Sequence, residues 1–303
     1  MNDVTVLMST YNGEKYLRTQ LDSILQQTNV RVELVIRDDG SSDSTLAILE
    51  EYSTKYPNVR FYTGKNLGPA RSFLDLMHQA PKSSYYAFAD QDDYWLPDKL
   101  DKAVSKINQC NVADKPVLYY GRPRLVDAEL NSLNQQMGIS FVRTFQEAVI
   151  ASQAPGCTMV FNYILLKKVI LHPNISFLHM HDDWLHKVCL IYHGILLFDK
   201  DVHILYRQHA SNAVGGQSTA LQSILQHITS FRDKKCVRSR TVKALFDCYK
   251  DDMDSEIYDL CRCFYNYQNN LISRFKTAYS VNIHSSSWKR ELACRGAILL
   301  GIY

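Results

Sequence analysis

Residues 85–97 of this 303-residue chain read Tyr-Tyr-Ala-Phe-Ala-Asp-Gln-Asp-Asp-Tyr-Trp-Leu-Pro. The first half has the composition of a buried β-strand, and Asp90, Asp92 and Asp93 follow it at once. Neighbouring carboxylates repel one another and are rarely buried unless a cation balances their charge. A divalent cation such as Mg²⁺ or Mn²⁺, held together with a substrate phosphate, would balance it. A solvated acidic turn before a helix, with Asp98 as an early helical acid, is the alternative.

The segments before this stretch alternate apolar runs with amphipathic ones. We expect strands at residues 4–8, 33–37, 58–62 and 85–90, and helices over residues 15–27, from the capping residues 41–45 to about 55, and over 70–79. This rhythm predicts an α/β fold with a Rossmann-like, mainly parallel central sheet flanked by helices. Ligands bind outside the carboxyl ends of such strands, so the turns after the first, second and fourth strands should meet in one crevice.

The rest of the chain divides less clearly. Residues 117–121 and 156–161 resemble strands, and residues 184–192 resemble a helix that begins just after His181, Asp182 and Asp183. From about residue 218 the pattern is helical and more polar. We therefore expect one α/β domain over residues 1–215 and a helical C-terminal region over 216–303.

Composition narrows the class of protein. The formal net charge of +3 is too small to indicate nucleic-acid binding. The eight cysteines are scattered without the spacing of a zinc site, which favours reduced thiols. No signal peptide precedes the first strand and no run is long and apolar enough to span a bilayer, so we expect a cytoplasmic protein.

The turn after the second expected strand carries two adjacent acids, Asp38 and Asp39. They would suit a helix-capping turn, because acids at a helix N-terminus complement its dipole. A carboxylate there would equally accept a hydrogen bond from the imide of uracil or thymine, with Tyr11 beside the ring. Asn66 and Gly68 fit neither a GxGxxG nor a phosphate-loop pattern and are expected to shape a turn beside the crevice.

Two later stretches add charged groups. His181-Asp182-Asp183 offers a carboxylate outside the metal cluster, which is what a general base for a hydroxyl nucleophile requires; a helix cap is the alternative. Arg207 and His209 are two residues apart, so they share one side of an extended segment and suit a diphosphate or a remaining metal position. A surface loop is the alternative for that pair.

Together these stretches resemble the family 2 inverting glycosyltransferases with the GT-A fold, which build bacterial surface polysaccharides. The form of the 90–95 stretch and the Arg-Gln-His run are most similar to the rhamnosyltransferase-like branch, which also contains transferases of glucose, galactose and other sugars. The resemblance spans about the first 210 residues in family order. It rests on residues 6–14, 38–45, 66–68, 90–97, 156–159, 181–184 and 206–209.

The resemblance implies that residues 1–215 are a catalytic domain, with a nucleotide-sugar half at about 1–97 and an acceptor half at about 98–215. It also implies a role for each matching position. The nucleotide is expected to contact Thr10, Tyr11, Glu14, Asp39, Asn66 and Asp90. Asp92 is the implied metal ligand, supported by Asp90 and His209, and the metal is Mn²⁺ or Mg²⁺. The diphosphate is expected at Arg207 and His209. The acceptor is expected at Gly156, Cys157, Thr158, Trp184 and Trp95. Asp182 matches the general base; because the family's usual Glu-Asp pair is His-Asp here, Asp183 is a competitor.

The implied reaction moves a sugar from a UDP- or dTDP-sugar to a hydroxyl of a saccharide acceptor on a polyprenyl diphosphate carrier. The basic residues 232–243 and the basic-then-apolar residues 288–303 suit peripheral contact with the inner membrane face, ordinary helix packing, or a homodimer through the C-terminal helices. Alternatives are a nucleotidyltransferase of related fold, a phosphatase or phosphoacceptor domain using Asp38 and Asp39, and a saccharide-binding homologue without catalysis.

Overall fold

The computed structural model describes residues 1–110, 114–139, 141–150, 154–208, 236–280, 283 and 288–303. The strands within these residues are β1 Asn2–Thr10, β2 Val30–Asp38, β3 Val59–Thr63, β4 Tyr85–Ala89, β5 Tyr94–Trp95, β6 Val117–Gly121, β7 Arg124–Val126, β8 Val160–Asn162, β9 Ile195–Asp199 and β10 Ile204–Arg207. The helices are α1 Leu17–Leu25, α2 Thr45–Lys55, α3 Pro69–Gln79, α4 Lys99–Gln109, α5 Phe145–Ile150, α6 Tyr163–Ile170, α7 His181–Ile191, α8 Val237–Tyr249, α9 Ser255–Asn266, α10 Leu271–Ser280 and α11 Trp288–Leu300.

The central sheet has seven strands in the order β3-β2-β1-β4-β8-β6-β9. Its strands run parallel except β8, which is antiparallel to both β4 and β6. A second sheet has three strands in the order β5-β10-β7, and its strand β5 directly follows the acidic residues 90–93 in the chain. The predicted mainly parallel sheet flanked by helices is confirmed.

Alternating residues of the strands build a core on each face of the sheet. Leu7 of β1 and Phe88 of β4 belong to one cluster, with apolar residues of α3, α5, α6 and α7. Val6 and Met8 belong to the other, with apolar residues of α1, α2 and α4. Helices therefore cover both faces and leave the carboxyl ends of the strands as the exposed edge.

Two boundaries differ from the sequence prediction. Residues 156–161 were expected to be a strand, but Gly156–Thr158 is a 3₁₀ turn and β8 begins only at Val160. Helix α7 begins at His181, so Asp182 and Asp183 lie in its first turn rather than before it. Carboxylates there complement the partial positive charge of the helix N-terminus, which is why the helix includes them.

The C-terminal helices pack on helices that flank the central sheet. Helices α8, α9 and α11 contact α5, α8 also contacts α7, and their apolar residues join the same core cluster. The hydroxyl of Tyr303, 1% exposed, donates a hydrogen bond to Val149 O at 2.6 Å. The predicted helical extension is confirmed for the described residues from 236 onward, whereas the predicted boundary near residue 215 lies outside the described residues. Among the described helices, none combines the length and hydropathy needed to cross a bilayer.

Candidate active site

The carboxyl ends of β1, β2 and β4 lie side by side at one edge of the sheet. Strand β1 pairs in parallel with β2 and β4, and Thr10 is opposite Asp38. The side chain of Gln91 joins the turns after β1 and β4, because its Oε1 accepts a hydrogen bond from Tyr11 N at 2.8 Å and its Nε2 donates one to Tyr11 O at 3.0 Å. The predicted meeting of these turns is confirmed.

Asp38 holds the turn after β2 together. Its fully buried Oδ2 accepts hydrogen bonds from the backbone N–H groups of Gly40 at 3.0 Å and Ser41 at 2.9 Å. Its Oδ1 accepts from the hydroxyls of Ser41 at 2.5 Å and Thr10 at 3.1 Å. Because its carboxylate accepts four hydrogen bonds from neighbouring groups, Asp38 has a structural role in shaping the crevice.

Asp39 fixes the loop on the far side of that turn. Its carboxylate forms a buried ion pair with Arg37, and both side chains are less than 5% exposed. Its Oδ1 accepts from Leu67 N at 2.9 Å, and its Oδ2 accepts from Gly68 N at 2.9 Å. Asp39 therefore orders residues 66–68 in this structure, and its contact with a nucleotide base stays a prediction.

The other predicted nucleotide contacts differ in exposure. Tyr11 is 49% exposed at the mouth of the crevice, whereas Thr10 is buried beneath it. Glu14 is exposed, and its Oε2 accepts a hydrogen bond from Ser44 N at 2.9 Å. Asn66 is exposed, and its Oδ1 accepts from the backbone of the following loop at 3.0 Å. Tyr11, Glu14 and Asn66 are thus accessible, and Thr10 supports the turn.

Three carboxylates crowd the turn after β4. Burial, followed by the charges of Asp92 and Asp182, raises the pKa of Asp90 to about 7. Asp93 is fully buried, and burial together with the charges of Asp90 and Asp92 raises its pKa well above the ordinary range. Its Oδ1 accepts a hydrogen bond from Arg207 N at 3.2 Å, whereas no oxygen or nitrogen donor among the described residues reaches its Oδ2.

This acid cluster fits a hard divalent cation. The potential ligand atoms of Asp90, Asp93 and Cys157 lie within 4.8 Å of one another. Burial raises the pKa of the Cys157 thiol well above its ordinary value, so the thiol stays protonated and is a poor ligand. The carboxylate oxygens are the ligands that Mg²⁺ and Mn²⁺ prefer. Asp92 is close enough to raise the pKa of Asp90, and Asp93, which the sequence places in this acidic stretch without a ligand role of its own, is a further candidate ligand.

A buried lysine behind this cluster was missed by the sequence analysis. Lys99 is 2% exposed, and its Nζ lies 3.2 Å from the ring centroid of Trp95 without a hydrogen-bond partner among the described residues. Burial lowers the pKa of Lys99 to about 7, although Cys157, Asp93 and Asp90 favour its charged form. The side chain therefore places an amino group that can carry a positive charge beside the acids. No sequence signal marks it, because a lysine at a helix start is ordinarily exposed.

Asp182 faces the same region from the first turn of α7. Its Oδ2 accepts a hydrogen bond from Gly156 N at 3.1 Å, and its Oδ1 accepts from Asp183 N at 2.7 Å. A Cβ at position 156 would lie 3.2 Å from the Cβ of Asp182, so glycine lets the 3₁₀ turn approach this carboxylate. Burial, then the charge of Asp183, raises the pKa of Asp182 to about 6. Such a carboxylate accepts a proton readily at neutral pH.

Asp183 has a different environment. It forms an ion pair one helical turn along α7 with Lys187, whose side chain is only 6% exposed. A buried cation left without its partner is costly, so this pair explains Asp183 without a catalytic role.

His181, which begins α7, is a core residue here. Its ring stacks on Phe73 with centroids 3.8 Å apart and meets Phe88 edge-on at 4.7 Å. Burial lowers the pKa of His181 to about 3, and both ring nitrogens lack hydrogen-bond partners among the described residues. The imidazole is therefore neutral and fixes the start of the helix that carries Asp182.

Arg207 braces the acidic turn from β10. Its buried guanidinium donates from Nε to the carbonyl of Asp92 at 2.8 Å and hydrogen-bonds the carbonyl of Ala128. Its Cζ lies 4.4 Å from the ring centroid of Tyr16. The structure thus shows a positioning contact, and direct contact with a diphosphate stays a prediction. His209, predicted to bind metal and diphosphate, lies outside the described residues.

The predicted acceptor wall is largely internal in this structure. Trp95 and Trp184 are each 1% exposed, and the Trp184 ring packs 6.1 Å from that of Tyr249. Thr158 is buried, with its hydroxyl bonded to Pro155 O at 2.8 Å, and Cys157 lies in the acid cluster. Both indoles stabilise the core, so contact with an acceptor would require them to move. The acceptor assignments stay predictions.

Comparison of the sequence with protein-family profiles identifies the family of this chain. The sequence profile described as Glycosyl transferase family 2 matches residues 5–170, more than half of the chain. The chain belongs to this family. It is therefore a glycosyltransferase, as the sequence analysis predicted. Asp182 and Arg207 lie beyond the matched residues.

Two relatives are similar to this chain over more residues than the family 2 profile matches. The dTDP-rhamnosyl transferase RfbG of Shigella flexneri is 33% identical over 223 residues, which cover 69% of this chain and 73% of the relative. An uncharacterized glycosyltransferase of Rickettsia prowazekii is 27% identical over 232 residues, covering 74% of this chain and 69% of the relative.

Solved structures of other glycosyltransferases share the fold of this family 2 member. TarS of S. aureus, solved with UDP-GlcNAc, has a TM-score of 0.61 at 18% identity, and the match covers 99% of this chain and 82% of TarS. The mannosyltransferase PcManGT of Pyrobaculum calidifontis, solved with GDP-Man and Mn²⁺, has a TM-score of 0.52 at 17% identity, covering 99% and 80%. At such identities the likeness establishes the fold alone, and the predicted GT-A fold is confirmed.

Proposed function

We propose that this family 2 glycosyltransferase moves a sugar from a UDP- or dTDP-sugar to a hydroxyl of a saccharide acceptor, with inversion, in bacterial surface polysaccharide synthesis. The observation that carries the proposal is the grouping of acids at the carboxyl edge of the sheet. The charges of Asp92 and Asp182 both raise the pKa of Asp90, which supports a metal-binding cluster and a separate basic carboxylate in one crevice. The name of one relative, a dTDP-rhamnosyl transferase, supports dTDP-rhamnose as the first donor to test.

The nucleotide is proposed to occupy the edge formed by the turns after β1 and β2. Tyr11 presents an exposed ring for the base, and Glu14 and Asn66 present exposed polar groups for the base and ribose. Thr10 and Asp39 shape that edge from below, Asp39 through the 66–68 loop. The structures of TarS with UDP and UDP-GlcNAc support a uridine nucleotide as the second class to test.

A divalent ion, Mn²⁺ or Mg²⁺, is proposed at Asp92 and Asp90, with Asp93 as a further oxygen ligand and His209 as predicted from the sequence. When bound there, it would act as a Lewis acid on the diphosphate leaving group. The protein's own part is to hold the carboxylates: Arg207 fixes the backbone of Asp92, and Lys99 balances part of the negative charge behind them.

Asp182 is proposed as the general base. Its carboxylate takes the proton from the acceptor hydroxyl as that oxygen forms a bond to the anomeric carbon, on the face opposite the diphosphate. The bond from the anomeric carbon to the diphosphate oxygen breaks, and its electron pair leaves with the nucleoside diphosphate. Attack from the opposite face inverts the anomeric configuration, and the proton ends on Asp182. The ion pair of Asp183 with Lys187 supports Asp182 over its neighbour.

The acceptor is proposed to be a saccharide on a polyprenyl diphosphate, met at the inner face of the cell membrane by a cytoplasmic enzyme. The wall formed by Gly156, Cys157 and Thr158 with Trp184 and Trp95 stays the predicted acceptor side. A homodimer through the C-terminal helices is an alternative use of their exposed surface.

A panel of nucleotide sugars tests this function. Incubated with Mn²⁺, the enzyme is expected to release nucleoside diphosphate from dTDP-rhamnose or from a UDP-sugar, slowly with water and faster with the correct acceptor. Chromatography of the nucleotide products reads the outcome, with an EDTA-treated sample as the control. Formation of nucleoside triphosphate and sugar 1-phosphate when pyrophosphate is added would indicate a nucleotidyltransferase, and binding without any nucleotide release would indicate a saccharide-binding homologue; either result overturns the proposal.

The pKa of Asp182 predicts the pH dependence of transfer. A general base works in its ionised form, so kcat/KM should fall about tenfold per pH unit below a pKa of about 6 and level off above it. Replacing Asp183 by Asn removes a negative charge that raises the pKa of Asp182 and leaves Lys187, which lowers it. The acidic limb of the profile should therefore move to lower pH in Asp183→Asn. A midpoint that moves upward, or that does not move, would contradict the assignment.

A further inference from the structure

The exposed face of the α10–α11 pair carries an unusual amount of apolar surface. Helix α10 presents Leu271, Ile272, Phe275 and Tyr279, and α11 presents Trp288, Leu292 and Leu300; each side chain is between 58% and 70% exposed. The opposite faces are buried, through Thr277 and Ala278 on α10 and through Cys294, Ala297 and Ile298 on α11. The two helices contact each other, so the exposed residues lie on one helical pair, here called the apolar face.

The charges on these helices have one dominant sign. Five residues are basic, Arg274, Lys276, Lys289, Arg290 and Arg295, and the one acid of these two helices is Glu291. Glu291 accepts hydrogen bonds from Arg295 at 2.8 and 3.2 Å, which neutralises it. Lys276 and Lys289 are exposed beside the apolar side chains. The apolar face is thus bordered by positive charge.

We propose that the apolar face docks on the anionic surface of a lipid bilayer. Aromatic and aliphatic side chains enter the boundary between headgroups and acyl chains, and lysines beside them bind acidic headgroups. Trp288, Phe275 and Tyr279 supply the aromatic rings typical of this boundary. The inference deepens the proposed function, on which it rests for its purpose: a lipid-linked acceptor lies at such a surface.

The charge pattern favours a membrane over a second copy of the chain. A symmetric dimer through this face would bring the basic residues of both copies together, and the one described acid of the two helices, Glu291, already pairs with Arg295. The basic helix α8 is a weaker candidate. Its Arg240 and Lys243 lie 3.9 and 4.6 Å from the ring centroids of Phe177 and Tyr265, and residues 232–235 of the predicted basic run lie outside the described residues.

Co-sedimentation with lipid vesicles tests the proposal. The full chain is expected to bind vesicles containing phosphatidylglycerol and to bind pure phosphatidylcholine vesicles at least about tenfold more weakly, since each basic residue near an anionic surface strengthens binding about fivefold. The double variant Phe275→Ser/Trp288→Ser should lose at least tenfold in binding to the anionic vesicles. The matched control is Leu171→Ser, which changes an apolar side chain of similar exposure outside the face; it should bind like the wild type.

A second variant separates charge from apolar burial. Lys276→Glu/Lys289→Glu keeps the apolar residues and should also lose binding to anionic vesicles; both changes are on exposed side chains, and thermal melting checks the fold. The proposal is overturned if the wild-type protein does not bind anionic vesicles. It is also overturned if the Phe275→Ser/Trp288→Ser variant binds them as tightly as the wild type. Concentration-dependent dimerisation that the apolar variant abolishes while vesicle binding is absent overturns it too. Donor hydrolysis, read without lipid, should be unchanged in both variants, so failure of the proposed chemistry is seen separately.

Discussion

Asparagine in place of Asp182 is expected to lower kcat for sugar transfer by about 10²- to 10⁴-fold, the usual contribution of a general base, and to leave donor affinity unchanged. Asparagine has nearly the same shape and can still accept one of the two backbone hydrogen bonds, from Gly156 N or from Asp183 N, but it cannot take the proton of the acceptor hydroxyl. Steady-state kinetics with saturating donor and Mn²⁺, combined with calorimetric titration of the nucleotide, measures both quantities.

Asp183→Asn is the matched control, because it removes a carboxylate from the adjacent position of the same helical turn. Its kcat at pH 8 is expected to stay within about tenfold of the wild type, below the range of a lost general base. Its thermal stability should fall, since Lys187 is buried and loses its partner. Full activity in Asp182→Asn, together with an inactive but folded Asp183→Asn, would assign the base to Asp183.

Alanine in place of Asp92 is expected to remove the effect of Mn²⁺ on nucleotide binding. In the wild type, Mn²⁺ should tighten dTDP or UDP binding by at least about a hundredfold, equivalent to about 2.7 kcal/mol, because the ion relieves repulsion among carboxylates and bridges them to the diphosphate. In Asp92→Ala the affinities with Mn²⁺ and with EDTA should be nearly equal. Calorimetric titration at constant pH and ionic strength measures the difference.

Asp201→Ala is the control for this experiment. Asp199, Asp201 and His203 form the other group of the described residues whose ligand atoms lie within 4.8 Å, and Asp201 is exposed. Asp199 there already pairs with Lys106 at 2.6 Å and accepts a hydrogen bond from Tyr119 at 2.8 Å, so this group has its own counter-charge. Metal dependence that survives Asp92→Ala but disappears in Asp201→Ala would move the ion to that group.

The sequence alone was sufficient to predict the parallel strands β1 to β4 and the helices between them. Apolar strands alternate with amphipathic helices up to Ala89, and their acids follow the strand ends, so the meeting of the first, second and fourth turns could be predicted from topology alone. The predicted strand at 156–161 was wrong at its start. Gly156 and Thr158 are drawn into a 3₁₀ turn by contacts with Asp182 and Pro155, and a local pattern does not contain the first of these partners.

The site predictions depended on contacts between distant parts of the chain. The contact of Asp39 with the base stays a prediction; its ion pair with Arg37 and its bonds to the 66–68 loop become visible only when β2 is placed beside that loop. The contact of Arg207 with the diphosphate also stays a prediction; β10 pairs with β5, and the Arg207 side chain donates to the carbonyl of Asp92. Lys99 is buried by tertiary packing, which no charge pattern in the sequence indicates.

A crystal structure of the enzyme with dTDP and Mn²⁺, with diffraction data collected to reveal the anomalous scattering of manganese, tests the proposed site. We predict one strong anomalous peak within coordination distance of the Asp92 carboxylate and of a diphosphate oxygen, at the carboxyl end of β4. A peak at Asp38 and Asp39, a peak at Asp199 and Asp201, or a bound nucleotide with no manganese beside it would contradict a metal-dependent transferase built on the turn after β4.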